Sequence, residues 1–217
     1  TFSRIDKIKI PIVYTGFVTP LPEKKKVEQI RAKIRCDDNK PLVVASVGGG
    51  NVGALLLKAV VEAFKTKPLQ DTARLHLYTG PYMDKKDKQY LHGCADSQIM
   101  VKEFTDDFVS LLAACDLSVS MAGYNTCMNI VAAEIPCLVW PFSQNREQMQ
   151  RALKIAKFIP LTILEDEDLA STTLSQLIMK NIKKQRKKEV GKDVEIQDVK
   201  LDINGALNTC NWIGDNL

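Results

Sequence analysis

The chain of 217 residues lacks the residue patterns that mark several common functional classes. None of its six cysteines forms a Cys-x-x-Cys pair, and no spacing of histidine and cysteine resembles a zinc site. Its two histidines belong to no recognisable Ser/His/Asp set, and no pair of carboxylates stands out as an acid and base. We therefore expect neither a metal nor a cofactor.

Long apolar runs are also missing, since no stretch reaches the roughly 20 residues that cross a membrane as a helix. The chain shows no signal-peptide pattern, and several cysteines sit in apolar runs, as small core residues do. A reduced, cytoplasmic protein is the simplest interpretation. Because the chain begins with Thr1 rather than Met, we expect it to be a piece of a larger protein.

Positive charge is concentrated in one segment, although the net charge is only +4. Residues 178–192 hold seven Lys or Arg and one acid, while the rest of the chain holds 23 basic and 25 acidic side chains. A solvated helix end or loop is the first interpretation of this segment, and a weak contact with an anionic membrane surface or another polyanion is the alternative. The near-neutral remainder and the scarcity of aromatic residues argue against a nucleic-acid partner.

Apolar, strand-like runs alternate with amphipathic helical patterns along the chain. This alternation predicts an α/β fold, a Rossmann-like doubly wound parallel sheet with helices on both faces. The predicted strands are 8–14, 42–47, 73–79, 99–101, 116–120, 137–141 and 161–164. The predicted helices are 22–35, 52–65, 84–94, 107–115, 125–134, 145–158, 166–181 and 203–216. Ligands of such folds bind at the carboxyl ends of the strands.

A glycine-rich turn follows the strand at 42–47. Its sequence, Gly48-Gly49-Gly50-Asn51-Val52-Gly53, leads into a helix. Glycines let a backbone approach a ligand closely, and a helix N-terminus supplies N–H donors to an anion. The turn is neither a Walker loop, since no Gly-Lys-Ser/Thr follows, nor a Gly-x-Gly-x-x-Gly fingerprint with its distant acid. Alone, it is equally compatible with a purely structural turn.

A second unit of the same kind lies downstream, where the buried strand at 116–120 is followed by Gly123 and a helix. We expect that a Cβ at Gly123 would obstruct the turn. Asn125 and Thr126 then lie at the helix start, where free N–H groups and the helix dipole favour an anion. Two such units in one doubly wound chain predict a diphosphate held between two helix N-termini.

The loop at 141–148 emerges at the same edge of the predicted sheet. Arg146 could meet a phosphate there, and Glu147 and Gln148 could bond sugar hydroxyls. An ordinary polar first turn of a helix explains these residues equally well.

Phe104 lies between a strand and a helix. An aromatic side chain in such a loop can stack on a base, although a core position is the more common outcome. Asp106 or Asp107 is expected to cap the following helix. His76, inside a predicted strand, is interpreted as structural.

Several of these residues form an ordered set: the loop 48–53, the segment 103–107, Ala122-Gly123 with Asn129, the corner 133–136, and Pro141-Phe142 with Gln148. The set resembles the C-terminal, donor-binding domain of GT-B glycosyltransferases, of the MurG-like family 28 type. The resemblance covers about residues 40–165. It implies one half of a GT-B fold, which binds a nucleotide sugar, with a UDP-sugar as the expected donor.

The resemblance also implies roles for matched positions. The diphosphate would be bound by the two glycine units, the base by Phe104 and the Thr105 backbone, the ribose by Asn129, and the donor sugar by Glu147 and Gln148. The implied donor site comprises Gly49, Gly50, Asn51, Gly53, Phe104, Thr105, Gly123, Tyr124, Asn125, Thr126, Asn129, Arg146, Glu147 and Gln148. Asn129 departs from the family, which has a glutamate there, and Ala122 replaces the usual serine, so preference for UDP is an open point.

Three segments follow from the resemblance: a connector with a first strand at 1–20, the nucleotide-sugar-binding domain at 21–200, and a C-terminal helix at 201–217 that crosses to a missing N-terminal domain. The whole enzyme would transfer a hexosyl or N-acetylhexosaminyl group to an acceptor hydroxyl with inversion, using a base from the missing domain. This chain alone would be inactive. A nucleotide-sugar epimerase or hydrolase, or a non-catalytic donor-binding subunit with a separate partner, are the alternatives.

Overall fold

The computed structural model describes residues 5–38, 40–50, 52–189 and 201–216. Its strands are β1 (Leu42–Ser46), β2 (Arg74–Tyr78), β3 (Ile99–Lys102), β4 (Leu117–Met121), β5 (Cys137–Trp140) and β6 (Leu161–Ile163). Its α-helices are α1 (Lys24–Asp38), α2 (Ala54–Phe64), α3 (Lys85–Gly93), α4 (Phe108–Ala114), α5 (Tyr124–Ala133), α6 (Arg146–Ile155), α7 (Ser171–Glu189) and α8 (Gly205–Asn216). Short 3-10 helices occupy Ile5–Lys7 and Asp166–Leu169.

The strands form one parallel sheet in the order β3-β2-β1-β4-β5-β6. This is the doubly wound order of Rossmann folds, and it confirms the predicted fold class. All residues of β1, β4 and β5 are buried, as expected for strands covered on both faces. The strand order reverses between β1 and β4, so the chain leaves these two neighbours in opposite directions.

Alternate residues of each strand feed two separate core layers. In β1, Val43 and Ala45 pack with apolar residues of α2, α3 and α7, whereas Leu42 and Val44 pack with those of α1, α4, α5 and α6. Cys115, Cys127 and Cys137 are buried free thiols, in agreement with the interpretation of cysteine as a core residue. Burial raises the pKa of Cys127 to about 11, so this thiol stays protonated at neutral pH.

The prediction of a strand at 8–14 is wrong. The structure gives this segment no strand, and Ile10 is 73% exposed. Its apolar residues resemble a strand, but Pro11 lacks an N–H, and the segment pairs with no strand of the described sheet. The chain instead meets the C-terminal segment, because the Phe17 N–H donates to Asp202 O (2.7 Å) and the Gly205 N–H donates to Phe17 O (2.9 Å).

The lysine-rich segment extends a helix. Within the described residues, this agrees with the interpretation of the segment as a solvated helix end. Helix α7 continues past the predicted end at 181 to Glu189, while Lys192 lies outside the described residues. Within the described ranges, no helix is both long enough and apolar enough to cross a bilayer.

Candidate ligand-binding site

The loop between β1 and α2 depends on glycine conformations. Gly48, Gly50 and Gly53 have φ angles of 62°, 92° and 102°, which side chains rarely adopt. A Cβ on Gly53 would lie 2.6 Å from Val47 Cγ1 and 2.7 Å from Met121 Sδ. The glycines therefore let the loop turn tightly at the carboxyl end of β1. Asn51, which was predicted to face a diphosphate, lies outside the described residues.

The glycine loop is supported by the loop after β2, which the sequence analysis did not assign to the site. The Tyr82 N–H donates to Gly49 O (2.7 Å), and Gly80, with φ at 76°, packs so closely that a Cβ would collide with Gly48 O. The Gly80-Pro81 pair at the end of a neighbouring strand was the available signal for this role.

The glycine in the turn between β4 and α5 is not required by the backbone conformation. Gly123 has a φ of −64°, and among the described residues other than its chain neighbours, the nearest atom to a Cβ at this position is Thr126 Oγ1 at 3.9 Å. The prediction that a Cβ would obstruct this turn is therefore wrong, because the backbone is ordinary and the space around it is open. Glycine at this point leaves an uncovered approach to the start of α5.

The N-termini of α2 and α5 differ from those of three other helices, α3, α4 and α6. Asp84, Asp107 and Asn145 cap α3, α4 and α6 with a side chain that accepts a backbone N–H bond, which confirms Asp107 as a cap. Gly53 and Gly123 occupy the same positions in α2 and α5 and provide no side-chain bond. The first N–H groups of these two helices are thus available to an external acceptor.

Three buried serine hydroxyls lie beside this point. Ser46 ends β1 and is paired in register with Ser120 of β4, and Ser118 is two residues earlier on the same face. None of these hydroxyls has a hydrogen-bond partner among the described residues. Since buried polar groups are nearly always bonded, this end of β1 and β4 has more polar atoms than the protein itself satisfies.

Phe104 lies on the surface of the loop after β3. Its side chain is 67% exposed, so the preference for a core position is wrong. Phe108 supplies the aromatic contact with the core instead, with its ring 6.0 Å from that of Tyr78 in an edge-on arrangement. Phe104 and the neighbouring Thr105 are therefore free to meet a ligand.

Helix α5 carries four of the predicted residues, Tyr124, Asn125, Thr126 and Asn129. Asn129 Oδ1 accepts a bond from Thr19 Oγ1 (2.9 Å), which leaves its amide N–H groups to other partners. Asn125 is exposed and Thr126 half-buried in the first turn. Tyr124 extends toward α6 and the N-terminal segment, with its ring centre 6.3 Å from that of Phe17.

The loop before α6 supplies one exposed cation and two polar side chains. Arg146 and Glu147 are exposed, while Gln148 Oε1 accepts the Phe142 N–H (3.0 Å) and thereby fixes the loop. Arg151 was missed by the sequence analysis. Its Nη1 donates to Ala122 O (2.6 Å), so it ties α6 to the turn before α5.

The sheet brings these groups to one edge without bringing them all into contact. The glycine loop and the start of α5 follow the adjacent strands β1 and β4, whereas Phe104 follows β3 and Arg146–Gln148 follow β5. Strands β3 and β5 are four spacings apart, about 19 Å. A single molecule that contacts both ends must therefore be extended and must pass the two uncapped helix N-termini.

Comparison with protein families gives a match over most of the chain. The model of the glycosyltransferase family 28 C-terminal domain matches residues 44–202. The chain is also 28% identical over 180 residues to the UDP-N-acetylglucosamine--N-acetylmuramyl-(pentapeptide) pyrophosphoryl-undecaprenol N-acetylglucosamine transferase of Klebsiella pneumoniae (strain 342). That alignment covers 80% of this chain and 48% of the relative, so the chain spans about half the length of the curated relatives it matches.

Solved structures support the fold. MurG of Acinetobacter baumannii superposes with a TM-score of 0.57 at 18% identity, over 85% of this chain and 53% of that one. A putative UDP-N-acetylglucosamine 2-epimerase from Listeria monocytogenes superposes with a TM-score of 0.59 at 12% identity, over 92% of this chain and 49% of that one. The sheet and its helices are thus those of one half of a GT-B structure.

Proposed function

Because the chain belongs to the family of glycosyltransferase family 28 C-terminal domains, we propose that it binds a nucleotide sugar, with a UDP-sugar as the donor. In this proposal the chain is the donor-binding half of an inverting glycosyltransferase. The complete enzyme transfers a hexosyl or N-acetylhexosaminyl group to an acceptor hydroxyl.

The observation that carries the proposal is the pair of uncapped helix N-termini at the point where the strand order reverses. Gly53 and Gly123 leave the first N–H groups of α2 and α5 without side-chain acceptors, although three neighbouring helices have them. A diphosphate supplies the missing acceptors and the negative charge that the two helix dipoles favour. Gly49, Gly50 and the first turn of α5, Tyr124–Thr126, are its proposed neighbours.

The base is proposed to stack on Phe104 and to bond the Thr105 backbone. An exposed ring at the β3 end of the edge offers a face to a flat heterocycle. Asn129 is proposed to bond the ribose through its amide N–H groups, because its oxygen is already engaged by Thr19. A neutral amide in this role donates hydrogen bonds to the ribose hydroxyl groups without adding a charge to the site.

The sugar is proposed to lie toward β5. Glu147 is exposed there, and the amide nitrogen of Gln148 remains available because only its oxygen holds the loop. Arg146 is the nearby cation for a phosphate. Asn51 lies outside the described residues and stays a prediction as a diphosphate contact.

In the transfer step, the acceptor oxygen forms a bond to the anomeric carbon while the bond to the nucleoside diphosphate breaks. Negative charge develops on the leaving diphosphate, and the N–H groups at the starts of α2 and α5 are proposed to stabilise it. Preorganised donors of this kind are worth about 3 kcal/mol each in other enzymes. The base that takes the acceptor proton is proposed to come from the other half of the enzyme.

A partner half is proposed for the terminal segments, residues 5–20 and α8. Ile10, Tyr14, Leu207 and Trp212 are all exposed there, at 73%, 78%, 61% and 45%. Apolar residues gathered on one pair of linked segments are typical of a covered surface. The exposed lysines of α7 are proposed to make a weak contact with anionic membranes.

Calorimetric titration with UDP, GDP, dTDP and ADP, without added metal, tests the proposal. We expect selective binding of UDP, and an affinity about tenfold weaker in Thr126→Ala and Asn129→Ala, since each loses a hydrogen bond to the ligand. Thr172→Ala at the exposed start of α7 is the matched control and should bind as the parent does.

If only another nucleotide binds, the proposed donor site stands, but its nucleotide is not UDP. Equal affinity of all three variants would place the ligand elsewhere and contradict the assignment of α5. No binding of any nucleotide by the chain, or by the longer enzyme that contains it, would refute the proposed function.

A further inference from the structure

A cavity lies beside the candidate donor site, between α5, α6 and the terminal segments. Its volume is about 560 Å³, within the usual range of small-molecule sites. Its walls are aromatic and apolar: Phe17, Tyr124, Met128, Ile155, Phe158 and Leu201. Tyr124 turns its ring toward Phe17 and Arg151 of α6, so the cavity adjoins the proposed donor site at this residue.

Basic side chains outnumber acidic ones in the lining of this cavity. Arg151, Lys154 and Lys157 line it, against one carboxylate, that of Glu147. Glu147 lies 3.8 Å from Arg151, and neither lysine forms an ion pair within the described part of the chain. The two exposed ammonium groups of Lys154 and Lys157 therefore remain for an external anion.

We propose that this cavity binds an amphipathic anion, a molecule with an apolar body and one phosphate or carboxylate group. The apolar walls remove the body from water, and the lysines at the rim bind the anionic head by charge-assisted hydrogen bonds. The cavity shares Tyr124 and Glu147 with the proposed donor site, but its two lysines and its other apolar walls belong to no proposed donor contact. The proposal therefore does not depend on the proposed donor function.

The cavity is mechanically connected to the start of α5. Arg151 bonds Ala122 O at 2.6 Å and lies over the Tyr124 ring, with Cζ 5.8 Å from the ring centre. An occupant that touches Arg151 or Tyr124 therefore acts on the turn that begins α5. If the proposed donor site also holds, the occupant and the nucleotide change each other's affinity by the same factor.

Dodecyl phosphate, below its micellar concentration, is the probe for the test. We expect it to bind the chain measured by calorimetry, and to bind about tenfold more tightly than dodecyl maltoside, which has the same chain and a neutral head. Inorganic phosphate, which has no apolar body, should bind weakest. Equal binding of the phosphate and the maltoside would overturn the proposal, as would no binding of dodecyl phosphate.

Two variants locate the probe. Lys154→Gln combined with Lys157→Gln should weaken dodecyl phosphate about tenfold and leave dodecyl maltoside unchanged. Gln150→Trp, an exposed cavity-lining position, should block the cavity and weaken both amphiphiles. Lys85→Gln combined with Lys86→Gln on α3, against the other core layer, removes the same charge and should change neither.

A loss of dodecyl phosphate affinity that is equal in the two lysine pairs would mean a general charge effect and would overturn the proposal. Retained binding in Gln150→Trp would place the probe on another surface, such as the exposed terminal segments, and would overturn it as well. UDP binding in the same variants is measured separately, so the failure of the donor site and the failure of the cavity can be told apart.

Discussion

The glycines that begin α2 and α5 show how one residue type meets two different needs. Gly53 is required by the protein itself, since its φ is 102° and Val47 and Met121 leave no room for a side chain. Gly123 has an ordinary backbone and open space around it. A glycine that the fold does not require, at an uncapped helix N-terminus, indicates that something outside the chain approaches there.

Replacement of each glycine by alanine separates these two needs. Gly53→Ala should lower the free energy of unfolding by about 3 kcal/mol, through backbone strain and the clash with the core. Gly123→Ala should change it by less than about 1 kcal/mol but weaken UDP, because the new methyl group stands at the proposed phosphate position. Urea unfolding and calorimetry measure the two quantities. Unchanged UDP affinity in Gly123→Ala would contradict a close approach of the diphosphate.

Phe104 allows a test of the base alone. Stacking of a base on an aromatic ring is worth about 1–3 kcal/mol, so Phe104→Ala should weaken UDP by about tenfold, and Phe104→Trp should retain binding. Inorganic diphosphate, which has no base, should bind both variants equally. Tyr90→Ala, which removes another exposed ring on α3, is the control. A parallel loss of diphosphate binding in Phe104→Ala would mean a disturbed loop rather than a lost stack.

At the scale of secondary-structure elements, the sequence predicts the strands and helices whose apolar pattern results from burial in the core. Strands β1, β4 and β5 are apolar runs because both faces are covered. The helix predicted at 166–181 is present, although it begins later, at Ser171, and ends later, at Glu189. The segment 8–14 has the same apolar character but no partner strand in the described sheet. The local pattern therefore predicts a strand, whereas a strand also needs a neighbour to pair with.

Contacts between distant segments could not be predicted from the sequence. The bond between Tyr82 and Gly49 and the bond between Arg151 and Ala122 join residues on separate connections of the sheet, and neither partner's local pattern specifies the other. The exposure of Phe104 has the same origin, because Phe108 rather than Phe104 reaches the core once α4 is docked. The motifs predict the positions of the candidate site, and the docking of loops decides which side chains remain accessible.

His76 on β2 makes the stability of the sheet depend on pH. Burial, with smaller contributions from Lys102, Arg74 and Lys33, lowers the pKa of His76 to about 4, and its Nδ1 has no partner among the described residues. Between pH 6.5 and 4 the unfolded chain binds a proton that the folded chain does not, so stability falls as the pH falls through this range. We expect a loss of about 2–3 kcal/mol by pH 4 from this residue.

Urea unfolding of the parent and of His76→Gln at pH 7 and at pH 4.5 measures this contribution. Other groups titrate in the same range, but they are common to both proteins, so the difference between the two pH profiles isolates His76. The variant should lose less stability on acidification than the parent. Parallel profiles would mean that the imidazole is solvated in the folded chain and that its pKa is close to the ordinary value.

At the scale of the whole molecule, the two terminal segments act as one unit. Thr209 Oγ1 bonds Thr15 Oγ1 (2.8 Å), Asn208 Nδ2 bonds Thr15 O (2.9 Å), and Val18 pairs with Asn204 in an antiparallel bridge. This unit carries exposed apolar residues from both segments, among them Tyr14 and Trp212. A domain that covers this unit would stand beside the carboxyl edge where the donor is proposed to bind.

The environment of Trp212 reports whether such a domain covers the unit. Trp212 is 45% exposed, whereas Trp140, the other tryptophan, is 7% exposed and bonded to Asp166. In a Trp140→Phe background, the emission of Trp212 in this chain should be that of a partly hydrated indole and should be quenched by acrylamide. In a longer form that carries a preceding domain, the emission should shift to shorter wavelength and quenching should fall.

Sugar transfer measured on the same two forms completes the test. The chain alone should bind UDP-sugar without releasing UDP, because the acceptor site and the base are proposed to lie in the other half, and the longer form should release UDP when an acceptor is present. Transfer by the chain alone would contradict the division of the site between two halves. If the longer form is active but its Trp212 spectrum is unchanged, the site is still divided between two halves. The contact between the halves then lies on another surface.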